Sequence, residues 1–592
     1  MGASQPWPQV PVGNKDHTQA AVVIIGAGIS GMCMAIDLIK RNQCHNFIIL
    51  EKSSGFGGTW NDNKYPGCCC DVWSMLYSYS FEQNPDWTRE YPGQEEILDY
   101  LRTVAHKYEL YKYIRFNTSV EGANWDDESL RWKVDVRVTG GKDAEYHPEY
   151  SIECDFLVSA VGQLNQPKYP EIEGLETFRG KLMHSARWDW SYQSEGKKIG
   201  VIGNGATAAQ IIPEILPTSQ SLTTYQRTPN WVIPRADGPV SSFRRFLLRY
   251  IPPIRWRIRG LMMDFRETFY DAVTDKESAA ADDIRNLCES MMKTQIPGRP
   301  DLWEKLLPSY SPGCKRVIVT DDYYPALANE KNELETGKIV RVVENGVEVE
   351  DGQGGTKIHE HDLLILATGF RTVEFLYPLK IAGTGGRSLS DLWGESGASA
   401  LYGTTVPSLP NFGMFYGPNT NLGHNSIILM TEAQSRYLNS LVSAVLDARN
   451  RGQRIGLMPK KSVTDTFNNK IQDILNKTSF SDPGCNSWYK NKEGRITNNW
   501  SGSVIEYQEI LSKVNWEDYE VIGGQKAARE GSDGERISAS KVVFGNGKKE
   551  TRIGRVREET YVSNTELLVG MASVAALGTL WAFRENLKRL RS

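Results

Sequence analysis

The chain is 592 residues long and carries 68 Lys and Arg against 72 Asp and Glu, a formal net charge of −4 with an isoelectric point near 6.2. That length exceeds what one hydrophobic core supports, so two or more domains are expected, and the balanced charge excludes nucleic acid as the main partner. Nine cysteines at irregular spacings, with only Cys68, Cys69 and Cys70 adjacent, form no zinc pattern and read as reduced thiols of an intracellular protein, so no metal site is expected.

Met1 to His17 is polar and proline-rich, unlike a secretory signal. Ala21 to Ile25 is then a continuous apolar run, as a parallel strand buried on both faces requires. Gly26, Gly28 and Gly31 follow, then a helical pattern and a second apolar run, Phe47 to Leu50, that ends in Glu51. Gly26 permits a tight turn, Gly28 lets the backbone approach a pyrophosphate, and Gly31 allows close helix packing. The carboxylate of Glu51 suits ribose hydroxyls and repels a 2′-phosphate, so this site fits FAD or NAD rather than NADP. Gly57, Gly58, Thr59 and Trp60 and then Tyr65 to Asp71 offer more backbone to a flat or phosphorylated ligand, although Asp71 alone also suits a turn.

Between this site and the next lies Phe178 to Asp189, a polar and aromatic linker. Lys198 to Ile202 is a second short strand, and Gly203, Gly205 and Ala208 repeat the fingerprint. The strand after it, Ser221 to Tyr225, leads to Arg227 and Thr228 in place of an acid. An arginine fork matches a 2′-phosphate, which points to NADPH, while a strand-end cap is the plainer reading of Arg227. Two such units in one chain are the layout of a flavoprotein reductase or oxygenase.

From about Pro234 to Pro312 the strand signals give way to a charged helical insert. Its start, Phe243 to Arg259, is basic and amphipathic. A stretch of this kind suits either an anionic membrane or a solvated face over a cleft, and the second reading is favoured. Asp362 to Phe370 is another buried strand ending in a small-residue turn, and Gly417 to Ser426 is a loop before a helix, with His424 read as a hydrogen-bonding residue. Residues 523–560 are polar and read as linker. Leu567 to Phe583 has 17 residues without a charge, followed by Arg584, Lys588, Arg589 and Arg591. That stretch is a candidate C-terminal transmembrane helix at the short end of the range, with a docked helix as the alternative.

With both nucleotide sites placed, Phe178, Gly180, His184, Trp188 and Asp189 fill the FxGxxxHxxxW-Pro/Asp pattern of type I Baeyer–Villiger monooxygenases. Gly57 to Asp71 fills the family's GGxW…Tyr/Phe-Pro-Gly…Asp motif, and Trp188 favours this branch over the related flavin-containing monooxygenases. The chain therefore resembles type I Baeyer–Villiger monooxygenases, above all fungal secondary-metabolism members, over roughly residues 19–522.

The resemblance implies an α/β fold with two Rossmann-like dinucleotide-binding domains, for FAD and NADP, and a helical insert. It divides the chain into residues 19–165 and 371–522 for FAD, 166–370 for NADP with the insert at about 235–312, a linker at 523–563 and the tail at 564–592. Arg316 looks like the active-site arginine and Asp71 like its acidic partner beside the flavin. Gly58, Thr59, Trp60 and Tyr77 look like further FAD contacts. Lys315, Arg227 and Thr228 look like ligands of the NADP 2′-phosphate, and Trp488 like a loop residue that closes over the nicotinamide.

Oxygen insertion builds negative charge at the reacting centre, which a fixed guanidinium stabilises without giving up a proton. His184, with no metal and no nucleophile to serve, reads as a hinge and hydrogen-bonding residue. The implied reaction uses NADPH and O2 to convert a bulky ketone into an ester or lactone, in the cytoplasm or on an intracellular membrane reached through Leu567 to Phe583. Oxidation at nitrogen or sulfur, epoxidation, a reductase or a non-catalytic binding protein are the alternatives at this point.

Overall fold

The computed structural model describes residues 5–140, 143–146, 148–394, 397–523, 537–542, 549–556 and scattered residues between 565 and 576. One sheet draws its strands from two separated parts of the chain. The earlier part supplies β1 (Gln19–Ile25), β2 (Phe47–Leu50), β3 (Ile114–Arg115), β4 (Thr118–Asp126), β5 (Arg131–Val138) and β6 (Glu149–Ser159). A second sheet then forms from β7 (Lys181–His184), β8 (Lys198–Ile202), β9 (Ser221–Tyr225), β10 (Asn332–Glu335) and β11 (Leu363–Leu366). The chain afterwards returns to the first sheet with β12 (Lys380–Ala382) and β13 (Phe412–Met414).

The first sheet has the order β12-β4-β5-β6-β1-β2-β3, with β13 also on β6. Its β6-β1-β2-β3 part is parallel, while β4, β5 and β6 are antiparallel. The second sheet, β10-β9-β8-β11-β7, is parallel throughout. Strands β1, β2, β8 and β11 are buried almost end to end, as parallel strands covered on both faces must be. The two connections between the sheets run side by side, since Lys168 N–H donates to the Gly369 carbonyl and Arg371 N–H to that of Gln166.

Helix α1 (Ile29–Asn42) follows β1 and α2 (Ala206–Ile215) follows β8. The insert holds α3 (Ser242–Tyr250), α4 (Pro252–Glu267), α5 (Tyr270–Thr274), α6 (Ala279–Gln295) and α7 (Pro300–Leu306). Ser241 caps α3 by accepting from Arg244 N–H, and Pro252 and Pro253 open α4, where their missing N–H groups cost nothing. The basic face of this segment is largely engaged by protein. Arg244 pairs with Glu90, Arg249 with Asp86, and the fully buried Arg259 donates to the Met75 carbonyl. Helix α8 (Ile427–Asn450) crosses behind the first sheet and packs on α1.

Two expectations change. Phe178 to Asp189 is not an open linker: Lys181 to His184 is the edge strand β7, in register with Leu363 to Leu366. The stretch 523–563 is not wholly linker among its described residues. Ile537–Ser538 pairs with Tyr519–Gly523, and Glu550–Arg552 with Lys513–Asn515, because Ala539 and Val556 find buried places against the body. The candidate span Leu567 to Phe583 lies mostly outside the described residues; among those described, no helix is long and apolar enough to cross a membrane.

Candidate active site

The two glycine turns share one construction. Gly26 has φ 101° and Gly203 φ 112°, a region open to glycine. A Cβ on Gly31 would stand 1.9 Å from the Gly26 carbonyl oxygen, so α1 can lie against its strand only with glycine there. In the second turn Ala208 takes that place, fully buried. Both helices begin at glycines without a side-chain cap, Gly28 and Gly205, which leaves the first N–H groups to a phosphate.

Gly58 reaches the first turn from its own segment, and a Cβ on it would come 2.9 Å from Gly28 Cα. Gly57 N–H donates to the Ala27 carbonyl at 3.2 Å. Thr59 and Trp60 continue as a helical turn, and the Trp60 indole N–H donates to Tyr77 OH at 3.2 Å. Buried Glu51 accepts from Ala27 N–H at 2.7 Å and Ser53 N–H at 2.8 Å, so it holds the turn as well as facing it. Burial raises its carboxyl above the usual range despite those two bonds.

Asp71 and Arg316, 245 residues apart, meet in a two-pronged pair. Arg316 Nε donates to Oδ2 at 2.5 Å and an Nη to Oδ1 at 2.8 Å, while the other Nη donates to the Leu422 carbonyl at 3.1 Å. Burial alone would raise the Asp71 carboxyl, but the guanidinium outweighs it and holds Asp71 below its ordinary value. Arg316 is correspondingly locked in its charged form. Tyr416 and Tyr489 face the same guanidinium, and burial keeps both phenols protonated, Tyr489 pushed up to about 12. Beside Leu422, Asn421 Nδ2 and Ser426 Oγ are buried with no partner among the described residues.

On the second turn, Asn204 donates to the Thr228 carbonyl at 2.8 Å and so fixes the segment carrying Arg227. Lys315 lies over the Tyr310 ring at 5.0 Å. Burial, and next the charge of Arg227, lowers its ammonium to about 8. Neither cation has a carboxylate partner among the described residues. Trp488 is 36% exposed, its ring lies tilted at 54° to that of Tyr489 with centroids 4.4 Å apart, and its carbonyl accepts from Thr372 OH.

The fingerprint residues do not touch this cluster. Gly180 is required where a Cβ would come 2.5 Å from the Asp362 carbonyl oxygen, and Phe178 packs into the core under β11. His184 accepts from Ala186 N–H and lies against Tyr169 and Phe370 on the double connection between the sheets. Burial, and then Arg187, lowers its imidazole to about 4, so it is neutral at pH 7. Trp188 packs on the second core, and Asp189 pairs with Lys181.

One cysteine expectation is overturned: Cys314 and Cys485, 171 residues apart, form a disulfide. Their odd-numbered, unpatterned set gave no sign of it, because only the tertiary fold brings the Trp488 segment against the Arg316 loop. Glu333, Glu335 and His359 also converge, but Lys357 already bonds both carboxylates and supplies the positive charge.

Comparison with known proteins settles the lineage. The family profile described as flavin-binding monooxygenase-like matches residues 19–242. The FAD-binding monooxygenase ktnD of Aspergillus niger is 50% identical over 570 residues, covering 96% of this chain and 90% of that protein. The chain belongs to the flavin-binding monooxygenase family. A Baeyer–Villiger monooxygenase of Streptomyces coelicolor is 37% identical over 506 residues, covering 86% of this chain and 93% of that protein. Among solved structures, oxidized steroid monooxygenase bound to NADP is 28% identical with a TM-score of 0.71, covering 86% of this chain and all of that one. OTEMO in complex with FAD and NADP is 25% identical with a TM-score of 0.72, covering 85% of this chain and 99% of that one.

Proposed function

We propose that this protein is an NADPH-dependent Baeyer–Villiger monooxygenase that uses FAD and O2 to place one oxygen atom beside a ketone carbonyl. The balance is ketone + NADPH + H⁺ + O2 giving ester or lactone + NADP⁺ + H2O. The observation that carries the reading is the Arg316–Asp71 pair, held between a glycine turn for one dinucleotide and a cationic site for the other.

The chain fits both groups. The Gly28–Gly58 contact is a cradle that a single Cβ would fill, and it suits the pyrophosphate of FAD; Glu51 would accept from ribose hydroxyls, and Trp60 and Tyr77 would be further FAD contacts. Arg227 and Lys315 suit the 2′-phosphate of NADPH; the Gly203 and Gly205 turn would hold its pyrophosphate, and Trp488 would close over its nicotinamide. When bound, FAD accepts the hydride of NADPH and activates O2.

The protein's own contribution is electrostatic. Arg316 keeps its proton at every working pH; Asp71 takes Nε–H and one Nη–H, the Leu422 carbonyl takes one N–H of the other Nη, and the second N–H on each Nη is left for a reacting oxygen. Such a fixed guanidinium stabilises oxyanion character as it develops, worth about 3 kcal/mol for one well-placed donor. Tyr416 and Tyr489 supply neutral walls to the same site, and neither competes for the charge.

Arg316→Ala tests this. The variant should retain stoichiometric FAD and its reduction by NADPH while ester formation from a ketone panel is lost and NADPH oxidation yields H2O2 instead. Ester formation at the wild-type yield would remove Arg316 from the chemistry.

A further inference from the structure

Helix α4 of the insert ends in two consecutive residues, Arg266 and Glu267, that reach two different segments of the first-sheet domain. Arg266 donates from an Nη to the backbone carbonyl of Asp71 at 2.7 Å, and its guanidinium lies over the Trp73 ring at 5.1 Å. Glu267 Oε1 accepts from Asn425 Nδ2 at 2.6 Å and faces His424 Nε2 at 3.2 Å. The next turn adds a third attachment, since Tyr270 stacks edge-on against His424 and its hydroxyl donates to the Ser501 carbonyl at 2.9 Å.

These contacts land on both supports of Arg316. Its carboxylate partner is Asp71, and its third hydrogen bond goes to the Leu422 carbonyl, two residues before His424. The insert leaves the second-sheet domain after Arg235, and Arg316 lies just after the insert ends. The backbone of the insert therefore carries Arg316 at one end and holds both of its acceptors from the middle. Asp71 and Leu422 themselves belong to segments 351 residues apart that share no strand.

We propose that Arg266 and Glu267 are positioning residues that hold the two acceptors of Arg316 at fixed separation, so that the insert sets the aim of the guanidinium. The charge-assisted bonds to a backbone carbonyl and to a side-chain amide are of the strong kind, and both are largely shielded from solvent. A misplacement of about 1 Å at a reacting centre costs on the order of 100-fold in rate. The inference rests on the proposed oxygen-insertion role of Arg316.

The test uses the full-length FAD-loaded protein with Glu267→Ala, Glu267→Gln, Arg266→Met and Arg266→Lys. Backbone hydrogen exchange is followed over residues 69–75 and 420–426, alongside anaerobic reduction of FAD by NADPH and the split of NADPH oxidation between ester and H2O2 with cyclohexanone as probe. In Glu267→Ala, exchange over 420–426 should rise about tenfold, a local opening rather than global unfolding. FAD reduction should stay within about twofold of wild type while the H2O2 share climbs. Glu267→Gln keeps the acceptor oxygen and should restore wild-type exchange and coupling, and Arg266→Lys should restore part of what Arg266→Met loses over 69–75. Unchanged exchange in Glu267→Ala, a Gln variant as impaired as Ala, or FAD reduction lost in parallel with ester formation would each overturn the positioning role. If wild-type protein makes no ester from cyclohexanone, the exchange data still decide the clamp, and the failure belongs to the assigned reaction.

Discussion

With Lys315 at the 2′-phosphate, as proposed, its depressed ammonium should make NADPH affinity depend on pH in a way that NADH affinity does not. In the free protein burial and Arg227 bring Lys315 from an ordinary 10.5 to about 8. A 2′-phosphate dianion placed against it favours the charged form and returns the group toward its ordinary value. The sign follows from that difference. Below pH 8 Lys315 is already protonated and binding takes up little; above pH 8 the ligand must bring a proton with it, so affinity falls as pH rises. If the bound value is about 10.5, linkage gives an affinity loss of about 20-fold between pH 7.5 and 9.5. Fluorescence titration of the oxidised enzyme with NADP⁺ and NAD⁺ across that range measures it directly. NAD⁺, with no phosphate at this position, should show a flat profile, and Lys315→Arg should flatten the NADP⁺ profile while retaining affinity. Parallel slopes for the two nucleotides, or an unchanged slope in Lys315→Met, would refute the assignment of Lys315 to the phosphate.

Asp71→Asn keeps the shape of the pair and removes its charge. With 27% and 26% of the two side chains exposed, the cost falls between that of exposed and buried pairs, about 1–3 kcal/mol in thermal unfolding, along with loss of ester formation. Because Asp71 titrates below its ordinary 3.8, this contribution is present above that pH and disappears as acid protonates the carboxylate, which the variant should not show. A non-reducing peptide map should recover Cys314 joined to Cys485, and Cys485→Ser should unfold more readily by up to about 5 kcal/mol on loop-closure entropy for a 171-residue separation.

The cofactor turns were legible because their chemistry is local. A buried strand, three spaced small residues and the residue that follows the second strand lie within a few dozen positions, and backbone sterics alone demand glycine at Gly26 and Gly31. The helical insert was legible for the same reason, from the loss of strand pattern, and Pro252 opens one of its helices. Phe178 to Asp189 was recognisable as a motif but not as a strand. Lys181 to His184 is only four residues long, and its partner Leu363 to Leu366 lies 182 residues away, so nothing local announces the pairing.

The sequence by itself determined the number and kind of nucleotide turns, the acid at Glu51 and the cation at Arg227. These depend on steric and charge rules that act within one β-α-β unit. Only the tertiary structure decided that Asp71 would close on Arg316, that Cys314 would find Cys485, and that Arg266 and Glu267 would grip the segments around that pair. Those contacts join residues from about 160 to 245 positions apart, where chain connectivity imposes no geometry and the packing of the insert between two sheets imposes nearly all of it.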